Sequence, residues 1–297
     1  MRVATFEHSG RVGWGVVEGD TVLDVAYWLA ARGDPGAGSV RSFLQHGGTA
    51  QRLNDLVLAG KEAIHRLRLA EVRLLAPIPD PPKILCVGLN FEDYRKLLGL
   101  EYLAVPQVFL KSPSAVVGPD HPIEIPLGYG EVYHEFEVAA VIGKTSRTLS
   151  PETAWDAVFG YTIFDDIVLH DLELLTREYQ QWAKNCDTFA PMGPWIVTRD
   201  EIDITNVTMV RRRNGQEQAR STTAAMHRPF NVLLAFVSTF MTLHPGDIVT
   251  SASPPAGPIA PGDVIEAEVE GIGVLRNPVV GRPVDASYAR LLWGRSG

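Results

Sequence analysis

Near the N-terminus apolar and polar positions alternate with a period of two over Val3 to Phe6, Val12 to Val17 and Thr21 to Asp24. Side chains on a strand point to opposite faces in turn, so this alternation predicts half-buried strands, with Glu18-Gly19-Asp20 as a turn. Spacing becomes helical over Asp24 to Arg32, breaks in the Gly- and Pro-rich Arg32 to Gly38, and is helical again over Ser42 to Leu44 and Ala50 to Ala70. Leu74 to Pro82 reads as an extended linker. Beyond it, short apolar runs bounded by Gly and Pro predict strands at Ile84 to Val87, Val108 to Lys111, Ile123 to Ile125, Glu135 to Ile142 and Val158 to Phe164. More follow at Trp195 to Thr198, Val207 to Arg213, Ile248 to Ser251, Val264 to Val269 and Gly273 to Asn277. Helical spacing returns at Asn231 to Met241, at Leu172 to Trp182, and in Phe91 to Ala104, where Tyr94, Leu97, Leu98 and Leu100 would share an apolar face broken at Gly99.

Many short strands with few helices predict a strand-rich α+β chain built on a mixed β-roll or barrel. A small N-terminal α/β domain over 1–76 and a larger domain over 77–297 are the expected units.

Composition narrows the picture by exclusion. The chain has 297 residues, 45% of them hydrophobic, with a net charge of -8. Such a length buries a substantial core, and no apolar stretch reaches the length of a membrane span. A negative chain is a poor match for nucleic acid, and Arg211-Arg212-Arg213 precedes Asn214-Gly215, a hairpin signal that makes the basic cluster an exposed turn. Met1 to Phe6 lacks the pattern of a secretory signal, and two cysteines, Cys86 and Cys186, do not make a disulfide framework, so a cytoplasmic location is expected. Cys86 reads as a packed thiol.

The candidate chemistry is acidic. Glu135 and Glu137 stand on one face of a strand, their Cα atoms roughly 6.5 Å apart, where like charges are costly without a cation. The bland alternative is a solvated strand face. The run Gly160 to Asp166 ends in paired aspartates at an expected chain exit, with Asp166 as the third ligand; the alternative is that Asp165 or Asp166 caps the next helix. Oxygen-only donors favour Mg²⁺ or Mn²⁺, with Ca²⁺ a further candidate.

From about Pro81 to Val280, ordered blocks resemble the fumarylacetoacetate hydrolase family. They are Pro82 to Asn90, Phe109 to Ser114, the Glu135-x-Glu137 strand, Gly160 to Asp171, Asp187 to Trp195, Met241 to Asp247 and Glu270 to Pro278. The resemblance implies a β-roll, commonly a homodimer, acting on 2-oxo acids or β-dicarbonyl compounds by cleavage, isomerisation, decarboxylation or dehydration. It implies Glu135, Glu137 and Asp166 as metal ligands and Lys184 as the contact to substrate oxygens. It makes residues 91–104 a lid over the substrate.

Departures from the family pattern carry information too. Where the hydrolases usually have a His and, three residues on, a Glu, this chain has Tyr94 and Leu97. A phenol is a poor base near neutrality and leucine orients nothing by hydrogen bonding, so attack by water is disfavoured and a drier closed site is expected. His121 and His134 are alternative bases distant from the expected lid. His170 stands where an Arg is common, and Ser251-Ala252-Ser253-Pro254 replaces Thr-Gly-Thr-Pro. Tyr94 is then a candidate acid, and Asp187, Thr188, Ser253 and His170 are candidate substrate contacts. The favoured expectation is a metal-dependent tautomerase, isomerase or decarboxylase of a small 2-oxo or β-dicarbonyl acid. A carbon–carbon bond hydrolase and an inactive metal-binding homologue are the alternatives.

Overall fold

In the computed structural model residues 1–175, 181–285 and 287 are described. Strands Arg2–His8, Arg11–Glu18 and Thr21–Leu23 form the antiparallel meander that alternation predicts. Asp24 accepts a hydrogen bond from the Tyr27 amide at 3.0 Å and so caps the helix Val25–Ala30. The helical spacing of Ala50 to Ala70 is realised only over Ala50–Ala59. At Gly60 the chain folds back so closely that a Cβ would lie 2.7 Å from the Ile64 side chain, and it then enters the strand Arg66–Arg68. Part of the expected linker is strand as well: Arg73–Leu75 pairs with Arg2–His8.

The meander does not end at the N-terminal unit. Arg2 and Val3 pair with Val197 and Ile196 of Ala190–Thr198, which makes one 13-stranded sheet. Beyond that junction the order is Val158–Leu169, Val132–Ile142, Ile248–Thr250, Ile84–Gly88, Gln107–Lys111. A second sheet of five strands runs Gln216–Thr222, Thr208–Arg213, Val264–Val269, Gly273–Arg282, Ile123–Pro126. Both sheets mix parallel and antiparallel pairs, and neither strand order closes into a barrel. The fold is strand-rich α+β. Among the described residues no helix is long and apolar enough to cross a membrane.

The two sheets share an apolar layer in which Phe136, Val138 and Ile163 meet Met209, Ala267 and Val269. Burying one such side chain stabilises by about 1.5–3 kcal/mol. Val158–Leu169 is buried along its whole length, because sheet neighbours flank it and both of its faces are covered. That strand differs from expectation in one respect: it does not end at the paired aspartates. Pairing continues to Leu169 opposite Val132, so Asp165 and Asp166 are mid-strand and neither caps a helix. The helix His170–Leu175 follows directly, and Gln181–Lys184 is a short helical turn. The part of the expected Leu172–Trp182 helix over 176–180 lies outside the described residues.

Asn214-Gly215 forms the expected hairpin turn, both residues at positive φ. The arginine cluster belongs to the strand before it, however, and Arg211 is buried, not exposed. Cys86 is a packed thiol, pushed up by burial and by the nearby charges of Asp166 and Glu137.

Candidate active site

Glu135 lies directly opposite Asp166 in the pairing of Val132–Ile142 with Val158–Leu169, and Glu137 is two residues further along the same face. The rigid apolar pairing around them brings one ligand atom of each to within 4.8 Å of the others. Glu137 and Asp166 are buried, and the Glu135 side chain is 16% exposed. The site therefore opens at Glu135.

Two lysines supply counter-charge. Lys184 Nζ donates to Glu135 Oε2 and to Asp166 Oδ2, each at 2.8 Å. Lys111, at the end of Gln107–Lys111, donates to Asp166 Oδ1 and, at 2.9 Å, to the Ile167 carbonyl. Both ammonium groups are buried, and Lys184 Nζ also lies 5.1 Å from the Phe109 ring centroid. Three carboxylates against two ammonium groups leave one negative charge unbalanced when all are ionised.

Ionisation follows from this arrangement. Burial works against the charge on Asp166, but Lys111 and Lys184 outweigh it and hold its carboxyl below the usual range. Burial pushes Glu135 up to about 7 despite Lys184, with Asp166 and Glu173 adding to the rise. Glu137 is pushed well up by burial and then by Asp166, against a hydrogen bond from Thr250. Its Oε2 is buried without a hydrogen-bond partner among the described residues. Burial lowers Lys184, but Asp166, Glu135 and Glu173 more than reverse that and keep it charged.

A buried carboxylate oxygen with nothing to accept from, in an all-oxygen set with surplus negative charge, fits a hard divalent cation. Glu135, Glu137 and Asp166 are the residues that would hold it.

Tyr94 lies on the helix Glu92–Leu98 and is partly buried against the core. Its phenol is pushed up by burial and by the charges of Glu135 and Glu173, with Lys184 opposing, which keeps it a neutral hydroxyl. Leu97 is 69% exposed, and Leu98 and Leu100 are also exposed, so the expected apolar face of this segment points largely to water. The segment is tied down. Phe91 bridges Met226, Asp93 accepts from the Ser221 hydroxyl at 2.8 Å, and Tyr102 stacks on His227 with centroids 3.5 Å apart.

His170 stacks on Tyr133 at 4.0 Å and lies 4.0 Å from Glu173, beside the mouth. The other candidate contacts make local bonds. The Thr188 hydroxyl accepts from the Glu124 amide at 2.8 Å, Ser253 donates to the Pro254 carbonyl at 2.6 Å, and Asp187 is exposed. His134 points to the opposite face, where it pairs with Asp165 at 2.9 Å, and His121 Nδ1 lies 3.0 Å from the Pro122 carbonyl. Sequence reasoning missed Lys111 and Glu173. The available signal for the first was a lysine in the apolar run Val108-Phe109-Leu110-Lys111; for the second, an acidic residue three positions after His170.

The profile of the family described as fumarylacetoacetate (FAA) hydrolase C-terminal matches residues 83–280. The mitochondrial oxaloacetate tautomerase fahd2 of Xenopus laevis is 34% identical over 296 residues, spanning 94% of this chain and 90% of that protein. Among solved structures, a fumarylacetoacetate hydrolase from psychrophilic Exiguobacterium antarcticum superposes with a TM-score of 0.82 at 34% identity, covering 95% of this chain and 100% of the other. A maleylpyruvate hydrolase from Sphingobium sp. SYK-6, in complex with manganese(II) and pyruvate, gives 0.80 at 30% identity, covering 95% and 99%.

Proposed function

The chain belongs to the fumarylacetoacetate hydrolase family, and from that premise we propose that it is a divalent-metal-dependent enzyme interconverting the keto and enol forms of a small 2-oxo acid such as oxaloacetate. One observation carries the reading. Three carboxylates converge beside a charged lysine, while the residue that reaches the mouth from the lid is a neutral tyrosine and its neighbour Leu97 faces water. That site is equipped to hold an anionic oxo acid and move protons, but it lacks a His-Glu pair to activate water.

A bound Mg²⁺ or Mn²⁺ would supply Lewis-acid stabilisation for the negative charge that develops on a carbonyl oxygen when the adjacent carbon loses a proton. Lys184, fixed between Glu135 and Asp166, is placed to accept a substrate carboxylate or oxyanion and hold it in one orientation. Tyr94, kept a neutral hydroxyl because burial pushes its phenol up, donates a hydrogen bond to the developing enolate oxygen and keeps its own proton. The pinned segment 91–104 limits water at the mouth. His170, Asp187, Thr188 and Ser253 remain the candidates for contacts to the rest of the substrate, His170 with the most direct position. Homodimer assembly is part of the same proposal and rests on the resemblance.

The test is a proton NMR time course in D₂O with Mn²⁺ or Mg²⁺, offering oxaloacetate and an acylpyruvate to the wild type and to Glu137→Ala. Metal-dependent exchange of the C3 protons, lost in the variant, is the expected result. Release of pyruvate and a carboxylic acid from the acylpyruvate would instead establish the hydrolase reading. Metal binding with no turnover of either compound would establish a binding protein.

A further inference from the structure

Glu173 is the carboxylate in this site whose job the metal set does not define. It lies on the helix His170–Leu175, which leaves the end of the strand bearing Asp166. Its Oε1 is 3.8 Å from Lys184 Nζ, on the same ammonium group that Glu135 and Asp166 grip at 2.8 Å. Its Oε2 is 4.0 Å from His170 Nδ1. The side chain is 17% exposed, close to the 16% of Glu135, and both carboxylates face the Lys184 ammonium group. Yet Glu173 is not among the residues whose ligand atoms converge, which are Glu135, Glu137 and Asp166. Three carboxylates are committed to charge balance and to a cation, and the fourth stands outside them at ion-pair distance from the substrate-orienting lysine.

We propose that Glu173 is the general base of this enzyme, taking the proton from the carbon next to the keto group and returning it in the reverse direction. The proposal rests on the keto–enol reading above. In the forward direction the C–H bond breaks and its electron pair becomes the new carbon–carbon double bond, while the carbonyl π pair moves onto oxygen. The carbon-bound proton goes to a Glu173 carboxylate oxygen. The enol oxygen takes its proton from solvent while the Tyr94 hydroxyl donates a hydrogen bond to it and keeps its own proton, and the proton on Glu173 returns to solvent. No oxidant, reductant or co-substrate is consumed. The geometry suits the step: Glu173 stands 3.8 Å from the ammonium group that would hold the substrate carboxylate, so a carbon next to that carboxylate would lie beside Glu173.

The decisive variants are Glu173→Gln, which keeps size and hydrogen bonding but removes the base, and Glu173→Asp, which keeps the base one methylene short. Oxaloacetate keto–enol interconversion is followed in the presence of Mn²⁺. Mn²⁺ affinity, and the affinity of the loaded protein for oxalate, are measured by titration calorimetry as readouts independent of turnover. Glu173→Gln should lower kcat by about 100-fold or more, the usual weight of a general base, with KM and both affinities within about threefold of wild type. Glu173→Asp should retain part of the rate. A Gln variant that keeps more than a third of the wild-type kcat, or one that loses Mn²⁺ and oxalate binding in step with rate, overturns the assignment of Glu173 while leaving the functional reading intact. Wild-type protein that binds Mn²⁺ but does not interconvert oxaloacetate overturns the functional reading, and the assignment with it. Should the Gln variant fail to fold, the Asp variant decides: full wild-type kcat in a folded Glu173→Asp is the overturning result.

Discussion

Glu135 holds a proton near neutrality because burial outweighs the pull of Lys184, and Glu137 is pushed further in the same direction. A cation taken up by this pair has to displace those protons, so apparent Mn²⁺ affinity should rise as pH climbs from about 5.5 to about 7.5, by up to about tenfold per unit for each proton displaced. The sign for stability is the opposite in metal-free protein. Above about 4.5 the unfolded chain has released protons that the folded state retains, so folding stability falls as pH rises through about 7, by roughly 1 kcal/mol per pH unit per proton. Calorimetric Mn²⁺ titrations and melting curves at three pH values check both directions; affinity that is flat across the range would contradict the arrangement. At this scale the convergence of Glu135, Glu137 and Asp166 was legible, because strand alternation puts the glutamates on one face and the paired-aspartate run offers Asp166, whereas Lys184 came from the family blocks. Lys111 was not legible. Its partner is 55 residues away in sequence, and a lysine closing an apolar strand looks the same whether its ammonium reaches water or a buried aspartate.

The helix Glu92–Leu98 ends where Gly99 adopts φ 66, a left-handed cap that glycine takes at little cost. Its two departures from the family pattern are not equivalent. Tyr94 is partly buried against the core, whereas Leu97 is solvent-exposed, so a glutamate installed at 97 would lie in water. Replacing both, Tyr94→His with Leu97→Glu, should therefore add little hydrolysis of an acylpyruvate, less than about threefold over Tyr94→His alone; a gain of 100-fold in the double variant would mean that the helix rotates on closing. Most expected strands are present with at least one end within a few residues, but Arg66–Arg68, Arg73–Leu75 and Gln216–Thr222 were not read from the pattern. The helix segment was readable as an element but not in orientation, because Leu97, Leu98 and Leu100 suggest an inward apolar face and the anchors that hold it elsewhere, Phe91 to Met226 and Tyr102 to His227, are contacts distant in sequence. The reach of Val158–Leu169 past its aspartates was hidden for a similar reason: the partner strand, not local propensity, keeps that chain extended.

Across the whole molecule the N-terminal meander and the metal-site strands are one sheet, joined where Arg2–His8 meets Ala190–Thr198. The division at residue 76 read from composition follows a change in sequence texture, but the hydrogen bonding crosses it. Removing residues 1–8 would strip Ala190–Thr198 of a neighbour and leave the apolar Arg11–Glu18 strand with one of its two partners, so the truncated protein should melt at least about 10 °C lower or aggregate. A truncation that melts within a few degrees of wild type would show that the junction carries little of the stability. The same junction also sets a timetable. Arg2 finds its partner in Val197, and at about 5–20 residues per second a ribosome needs roughly ten to forty seconds to deliver that partner after the first strand has emerged. Throughout that interval the Arg2–Val3 end of the nascent meander is an unfilled edge, and until Arg73–Leu75 emerges so is the rest, so the hazard for this enzyme in a cell is concentrated in its birth, and a chaperone that shields early-emerging strands would act on its yield without touching its chemistry.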